Sequence, residues 1–442
     1  MFWVRRSILF ILFLVCITKF TPAQRAAPTC VKSGYAGLTH RISSYAGLSS
    51  LWYDSSSKGV QFRTALLYYI DSLYRLRLIV EPYHQNVPLH TRLSPAAKPD
   101  SISSASCLIG ALVATSFDLF RGADMYARVG YDAVSQGYTL RDDSLIELGI
   151  RSIDSESKLR HWLFSLEPSQ KEYKILRTSF IKRQTALAQS KVTAATRDTL
   201  QQLENSIHLY RWLFHFGIDR FLVVNIPGAS LTYYGDRVSV FSMRAIVGKP
   251  ATPTPRFASY CTKLILYPYW YVPSSIAIAE YLPKIKKNPA WLDQRNMQVI
   301  DGQGRVVDHH RLNWRSFHAG YFPYTIRQST GCDNALGVLK LDIETPYGVY
   351  LHDTNHKGAF LQDYRFLSHG CIRLEEPLLL GSMLLEGKLD TAYLESCFKD
   401  KKPIPLPLSQ PVAVFSLYMS VTVDQAGYLQ FWPDPYRLHT RH

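Results

Sequence analysis

The chain has 442 residues, and its composition restricts its class. At about 100 to 200 residues per domain, this length indicates two or three domains. Apolar residues make up 47% and charged residues 19%, so the chain can build packed cores and carries too few charges for a disordered protein. The net charge of +15 favours anionic surroundings. Disordered, collagen-like and coiled-coil proteins are therefore excluded.

Residues 1–23 have the layout of a secretory signal. Arg5 and Arg6 precede an apolar run over residues 8–17, and Thr21 and Ala23 place small side chains at a cleavage site. The apolar run is shorter than the roughly 20 residues that a membrane-spanning helix needs. We therefore expect cleavage after Ala23 and export of a mature chain that lacks a transmembrane segment.

Residues 24–216 predict a helical domain, because apolar residues recur at helical spacing from about residue 59 onward. The stripes are Phe62, Leu66, Tyr69, Leu73 and Leu76; Leu108, Leu112, Thr115 and Leu119; Leu159, Leu163 and Leu166; and Leu200, Leu203, Ile207, Tyr210 and Leu213. We interpret these stripes as helix core rather than as ligand-binding positions.

After Gly217 the pattern changes to short β-branched runs, so residues 217–442 predict a mixed, β-rich domain and an α+β chain. Strands are predicted at 221–226, 231–234, 238–247, 339–343, 348–351 and 412–423, with a hairpin turn at Gly235-Asp236. Residues 281–329 are rich in Trp, Tyr and His, including His309 and His310, and lack strand alternation. They predict an inserted cap over a site.

One segment combines residues suited to nucleophilic catalysis. It contains Tyr350-Leu351-His352-Asp353-Thr354 and then Ser368-His369-Gly370-Cys371-Ile372-Arg373. A thiol attacks only as thiolate, so Cys371 needs a base or a cation, and His352, His369 and Arg373 are candidates. Gly370 permits close backbone approach, and its amide with that of Cys371 could bind an oxyanion. Physical arguments alone do not rank the two histidines.

The same segment offers a set of zinc ligands, namely His352, His356, His369 and Cys371. Two histidines at positions i and i+4 share a face only on a helix, and the residues between His352 and His356 are typical of a turn. A zinc site stays open as an alternative. Our main expectation is a site without metal or cofactor.

These residues resemble the signature of the L,D-transpeptidases, whose catalytic domain is of the YkuD type. The resemblance rests on the run from Ser368 to Arg373 with His352 upstream, and it extends over further runs at 224–227, 248–250, 267–273, 333–337 and 350–354. It points to the large periplasmic branch, which has a helical scaffold and a substrate-capping insertion. It implies a scaffold at 24–216 and a catalytic domain at 217–442 with the cap at 281–329.

The resemblance implies a periplasmic enzyme that crosslinks peptidoglycan. Cys371 would be the nucleophile and His352 its base, with His369 supporting the loop. Gly370 and Cys371 amides would hold the oxyanion. The implied substrate contacts are Tyr350, Trp270, Ser368 and Arg373. Cys371 would form a thioester with a tetrapeptide stem, release D-Ala and pass the acyl group to an amine or to water.

The expected partners are peptidoglycan stem peptides, with a protein lysine as another possible acceptor, and no nucleic acid. Two other hypotheses stay open: a zinc-dependent cell-wall peptidase that uses the ligands named above, and a catalytically idle wall-binding scaffold. Residues 328–332 depart from the family's more usual proline-containing run and introduce Cys332. A disulfide between Cys332 and Cys371 would block the nucleophile.

Overall fold

The structure is a computed structural model that describes residues 33–79, 81, 103–123, 129–187, 193–399 and 401–438. The predicted signal segment lies outside these residues. The chain divides into two compact units. The first comprises Met1–Arg128, Ser135–Gly217 and Met419–Trp432, and the second comprises Val129–Val134, Ile218–Tyr418 and Pro433–His442. Two short segments thus belong to the opposite unit from their neighbours in sequence.

The first unit is built mainly from helices. They are α1 (Ala36–Ser43), α2 (Ser57–Arg75), α3 (Ser103–Arg121), α4 (Thr139–Arg151), α5 (Glu156–Ser165), α6 (Lys171–Leu187) and α7 (Ala194–His215). Hydroxyl caps begin three of them, because Ser56, Ser155 and Thr193 each accept an N–H of the first turn. Most residues of the predicted stripes are buried, and Leu73 and Leu76 are half-buried. No helix in the described part of the chain is both long and apolar enough to cross a bilayer.

The second unit carries most of the strands. In chain order they are β1 (Tyr131–Asp132), β2 (Phe221–Asn225), β3 (Ser230–Gly235), β4 (Val238–Gly248), β5 (Phe257–Leu266), β6 (Trp270–Tyr271), β7 (Met297–Ile300), β8 (Val306–Val307), β9 (Thr325–Gln328), β10 (Leu339–Ile343), β11 (Leu351–His352), β12 (Phe366–Ser368), β13 (Ile372–Leu374), β14 (Ile404–Leu417), β15 (Val421–Val423) and β16 (Leu429–Phe431). The short hairpin β15–β16 belongs to the first unit. Helices α8 (Ser274–Ile276), α9 (Leu282–Lys287), α10 (Pro377–Leu384) and α11 (Thr391–Glu395) complete the second. The prediction of an α+β chain is confirmed.

Within the described residues, ten strands form one sheet in the order β1-β5-β10-β11-β13-β4-β3-β2-β14, with β12 on β4. Strand β14 also pairs with β5, so the ladder closes on itself. Its apolar core includes Leu264, Leu341, Leu351 and Ile372. Strands β10, β11 and β13 lie in the interior of this order, so each is paired on both sides. These three strands carry the candidate site.

Several predicted strand boundaries are corrected by the structure. Gly235 is the last residue of β3, and Asp236 and Arg237 form the turn with φ of 49° and 61°. Two successive positive φ values describe the tight hairpin turn that matches strand twist, so the turn lies one residue later than predicted. The strand predicted at 348–351 begins only at Leu351, and the one predicted at 412–423 is divided between β14 and β15.

The predicted cap contains strands, although its sequence lacks strand alternation. Strands β6 to β9 form a second antiparallel sheet in the order β6-β9-β7-β8, which we call the cap sheet. Strands of two to four residues are too short to show the alternation of apolar and polar residues from which a strand is predicted. The cap sheet has its own apolar core, formed by residues such as Val272, Leu292, Val299, Trp314 and Ile326.

Candidate active site

One face of the sheet collects polar side chains on β10, β11 and β13. Strand β11 pairs antiparallel with β10, which sets Lys340 opposite His352, and parallel with β13, which sets His352 beside Arg373. Side chains alternate between the two faces of a strand. Tyr350 and Cys371 directly precede β11 and β13. The Lys340 ammonium lies over the Tyr350 ring, and the charges of Arg373 and Lys340 act on Cys371, so these two residues adjoin the same polar group.

His352 is 4% exposed, and its ring orientation is fixed by the backbone. Its Nδ1 bonds to the carbonyl oxygen of Asp353. A carbonyl only accepts, so Nδ1 carries the proton and Nε2 keeps the lone pair. Two hydrogen bonds hold Asp353 in turn. The Val338 N–H donates to the Asp353 carboxylate at 3.0 Å, and the Asp353 N–H donates to the Leu339 carbonyl at 2.8 Å. Burial first, and then the charge of Arg373, lowers the pKa of His352 to about 3.

Cys371 is half-buried and is not in a disulfide. Burial raises the pKa of its thiol, while a hydrogen bond from the Tyr350 backbone and the charges of Arg373 and Lys340 act in the opposite direction. The net rise means that these cations do not by themselves make a thiolate. A thiol that burial keeps neutral needs a base, and the neutral imidazole of His352 on the adjacent strand β11 is a candidate.

The loop before Cys371 is closed by Ser368. The Ser368 hydroxyl accepts the Gly370 N–H at 3.1 Å and donates to the Cys371 carbonyl at 2.5 Å. Ser368 is 1% exposed, and its two hydrogen bonds order the loop; its predicted role as a substrate contact stays a prediction. Gly370 has φ of 116°, a conformation that favours glycine.

The two amides expected to bind the oxyanion differ in this structure. The Gly370 N–H donates to the Ser368 hydroxyl, and its predicted role as an oxyanion donor stays a prediction. In the part of the chain that the structure describes, the Cys371 N–H has no acceptor.

Hydrogen bonds from Thr254 and Tyr436 also hold the loop before Cys371. The Thr254 hydroxyl donates to the Gly370 carbonyl at 2.9 Å and accepts the Gly248 N–H at 2.8 Å. The Tyr436 hydroxyl donates to the Gly248 carbonyl at 2.5 Å. A Cβ on Gly248 would lie 2.2 Å from the Thr252 carbonyl oxygen, so this close approach requires glycine. Sequence reasoning had no signal for Tyr436, nor for Lys340 on the site face.

His369 is exposed and faces the cap. Its Nε2 lies 2.9 Å from Glu280 Oε1 and 3.5 Å from Lys249 Nζ. Glu280 lies in a π-helical turn, Ala277–Tyr281, between α8 and α9. Trp270 lies on β6 of the cap sheet and packs edge-on against Tyr281, with ring centroids 6.2 Å apart. His369 thus links the loop to the cap.

The proposed zinc ligands do not converge. His352 is fixed on its strand, His356 is exposed on the following turn, and His369 contacts Glu280. Across the described residues, one group of three potential metal ligands has all ligand atoms within 4.8 Å of one another, and it is Asp293, His309 and His310. The zinc alternative built on Cys371 is therefore wrong.

The suggested disulfide lock on Cys371 is also wrong. Cys332 is bonded to Cys397, with their Cα atoms 5.1 Å apart. The segment around Cys332 is turned toward the residues after α11, because Thr330 donates to the Lys401 carbonyl at 2.9 Å. Cys371 and the buried Cys261 are the free thiols among the described residues.

Comparison with known families assigns this domain. Residues 219–388 match the family model of the L,D-transpeptidase catalytic domain of the YkuD type. Residues 219–388 are therefore similar in sequence to an L,D-transpeptidase catalytic domain. A Haemophilus influenzae protein assigned to the L,D-transpeptidases is 34% identical over 224 residues, which cover 50% of this chain and 44% of the relative. The match therefore spans less than half of that relative's length.

Solved structures of L,D-transpeptidases are also similar to part of the chain. One from Mycobacterium smegmatis is 20% identical and aligns over 44% of this chain and 58% of its own, with a TM-score of 0.22. L,D-transpeptidase 3 from Mycobacterium tuberculosis is 16% identical over 44% of this chain and 60% of its own, with a TM-score of 0.23.

Proposed function

We propose that this chain is a peptidoglycan L,D-transpeptidase that works through a thioester on Cys371. The observation that supports the proposal is the strand register inside the matched domain, which pairs His352 with Arg373, two residues after Cys371. A thiol beside a neutral imidazole is the pair of nucleophile and base that acyl transfer requires.

The first half-reaction transfers a tetrapeptide stem to the enzyme. Nε2 of His352 takes the thiol proton as Cys371 Sγ attacks the carbonyl that joins the L-centre of meso-diaminopimelate to the terminal D-Ala. The tetrahedral intermediate then breaks its C–N bond, and the imidazolium returns the proton to the amine of the departing D-Ala. The Asp353 carbonyl keeps Nε2 as the accepting nitrogen. The products are D-Ala and a thioester.

The backbone amide of Cys371 would stabilise the oxyanion of this intermediate. It is the loop amide without an acceptor in the described residues, and an oriented N–H acts most strongly where water is excluded. Gly370 contributes by its conformation, since φ of 116° turns the chain so that the next amide is presented.

The second half-reaction resolves the thioester. An amine of a neighbouring stem would give a crosslink between two third residues, a protein lysine would anchor a protein, and water would trim the stem. We propose the stem amine as the acceptor. His352 again serves, now by taking a proton from the attacking amine and returning it to the Cys371 thiolate as it leaves.

Charge on the site face suits an anionic stem. Arg373 and Lys340 flank His352, and the Lys340 ammonium lies 3.7 Å from the centroid of the Tyr350 ring. We propose that Arg373 and Tyr350 line the stem site and that a carboxylate of the stem meets this positive face. Trp270 and the cap would cover the stem and limit hydrolysis.

We further propose that the protein acts in the periplasm after removal of residues 1–23. The domain family acts on the cell wall, and the signal-like segment supports export. N-terminal mass analysis of the exported protein tests this, because a mature chain that retains Met1 would contradict it.

A carbapenem provides the test of the proposed nucleophile. Its strained carbonyl should acylate Cys371, so intact mass spectrometry should show one added drug mass, mapped between Ser368 and Arg373. Cys371→Ala should abolish the adduct. Cys261→Ala is the matched control and should keep it, because burial raises the pKa of that thiol to about 12. EDTA should not protect Cys371.

The product test uses purified sacculi. Third-to-third crosslinks should appear with the wild-type chain and be absent with Cys371→Ala. An adduct without crosslinks would contradict the stem amine as acceptor and point to water or a protein lysine. Absence of both would favour the idle wall-binding scaffold, and turnover that EDTA stops would favour a metallopeptidase.

A further inference from the structure

Three side chains with metal-binding atoms meet in the cap. His309 Nε2 lies 3.1 Å from Asp293 Oδ1, and His310 Nε2 lies 3.2 Å from Asp293 Oδ2. The two imidazole rings lie side by side, with centroids 4.2 Å apart and planes inclined by 35°. The Cys371 mechanism uses none of these residues.

The backbone presents these ligands in a fixed arrangement. Asp293 begins the 3₁₀ turn Asp293–Arg295, and the two histidines begin the 3₁₀ turn His309–Arg311. The Asp308 carboxylate caps the second turn by accepting the His310 N–H at 3.1 Å. The indole of Trp314, buried in the cap core, donates to the His309 carbonyl at 2.8 Å. The positions of the ligands therefore do not depend on contacts among their own side chains.

Hydrogen bonding alone does not account for the cluster. Nε2 of His309 is buried and has no hydrogen-bond partner, although Asp293 Oδ1 lies 3.1 Å away. The direction of the ring nitrogen thus misses the carboxylate oxygen that it approaches. A buried polar atom left unsatisfied destabilises the fold. An ion placed between the ring and the carboxylate would use that lone pair.

The spacing suits a small divalent ion. Tetrahedral zinc with bonds of about 2.0–2.2 Å holds neighbouring donor atoms about 3.3–3.6 Å apart. The two histidine nitrogens lie 3.1 and 3.2 Å from the two Asp293 carboxylate oxygens, just below this range. Two neutral imidazoles and one carboxylate form a three-ligand set that zinc accepts and that leaves a fourth position for water.

We propose that Asp293, His309 and His310 bind one Zn²⁺ ion in the cap. The turn at Asp293 precedes β7 and the turn at His309 follows β8, so the ion joins both ends of the β7–β8 hairpin. Hairpins of such short strands gain stability from a cross-link at their open end. The site is structural and distinct from the thiol chemistry of Cys371.

The test measures zinc binding in the absence of the catalytic thiol. Tag-free Cys371→Ser protein, stripped with EDTA and dialysed, is titrated with ZnCl₂ against a chromophoric chelator. We expect one ion per chain. Asp293→Asn, which keeps the shape of the side chain, and His309→Ala should each weaken binding by more than the roughly 10- to 100-fold that outer-shell changes cost. His318→Ala, an exposed histidine of the same segment, is the matched control and should bind zinc normally.

Thermal unfolding and a cobalt(II) spectrum complete the test. Zinc should raise the Tm of the Cys371→Ser protein and leave that of the Cys371→Ser, Asp293→Asn double variant unchanged, which shows that the double variant is folded as well as unable to bind. Cobalt(II) should give a ligand-field spectrum without thiolate charge transfer. No bound ion, equal affinity after Asp293→Asn, or loss with His318→Ala equal to that with His309→Ala would overturn the proposal.

Discussion

The two histidines beside Cys371 lie in regions that hold them in different ways. His352 belongs to a strand paired on both sides, is buried, and has one ring nitrogen bonded to a backbone carbonyl. His369 lies on an exposed loop, and its ring contacts the side chains of Glu280 and Lys249. The strand thus fixes one tautomer and one orientation of His352, whereas the ring of His369 contacts two exposed side chains.

We propose that this difference separates a catalytic base, His352, from a positioning residue, His369. A general base must present the same lone pair in every turnover, which requires a fixed tautomer and a dry surrounding. His352 meets both conditions because burial and Arg373 keep it neutral. His369 carries a side-chain contact between the loop and the cap, and a contact of that kind positions the loop without exchanging protons with the substrate.

The largest expected effect comes from removing the two imidazoles in turn. His352→Ala should slow acylation of Cys371 by about 10²- to 10⁴-fold, the usual contribution of a general base. His369→Ala should slow it by less than about 10-fold, because it removes only a loop contact. Stopped-flow measurement of adduct formation with a carbapenem compares the two. Equal losses, or a larger loss at His369, would reverse the assignment.

The pH profile sharpens the same comparison. The pKa of His352 lies near 3 in the folded protein, so the residue stays neutral above that value and should produce no acidic limb near 6.5. The pKa of Cys371 is raised, so its acylation should keep increasing as the pH rises above neutrality. An acidic limb near 6.5 that disappears in His352→Ala would contradict a base held neutral by burial.

A middle-sized effect is expected at Ser368, which joins the two regions. Ser368→Ala leaves the Gly370 amide and the Cys371 carbonyl without their partner. Leaving such groups unsatisfied costs about 1–3 kcal/mol, and about 1.4 kcal/mol lost from the reactive geometry slows acylation about tenfold. Ser396→Ala, at an exposed serine, is the control for adduct kinetics. An unchanged rate in Ser368→Ala would show that the loop does not need this hydroxyl.

The sequence predicted the strand region better than the loop and the cap. The β-branched runs predicted the strands, and the motif around His352 and Cys371 predicted the reactive segment. Both signals lie within short stretches of sequence. The hydrogen bond between the Ser368 hydroxyl and the Gly370 amide was not predicted, since it depends on which groups meet after the chain turns. Lys340 and Tyr436 carry no local signal, because distant strand pairing and a contact from the end of the chain bring them to the site.

The cap was the least predictable part for a related reason. Its strands have two to four residues, and its ligand cluster joins Asp293 to residues that follow a hairpin. The richness in histidine was visible in the sequence, but no fixed spacing distinguishes three converging ligands from three exposed side chains.

A smaller effect is expected at the contact between loop and cap. Glu280→Gln removes the charge opposite His369 and keeps the shape of the side chain. Both partners are exposed, and exposed ion pairs contribute about 0.2–1 kcal/mol, so acylation should change by no more than about 5-fold. High salt should reduce the difference from wild type. Glu395→Gln is the exposed control, and a loss as large as that of His352→Ala would make Glu280 part of the proton path.

The smallest effect on acylation is expected at Cys332, which lies in neither region. Cys332→Ser breaks the bond to Cys397 and should keep the order of magnitude of activity, because neither sulfur contacts the thiol or its base. The bond closes a loop of 65 residues, so its loss should lower the free energy of unfolding by about 2–4 kcal/mol. Cys397→Ser should behave identically, and reductant should bring the wild type to the same lower Tm. Circular dichroism checks that Cys332→Ser is folded. If the folded variant lost turnover under reducing conditions, Cys332 would have a role in the reaction.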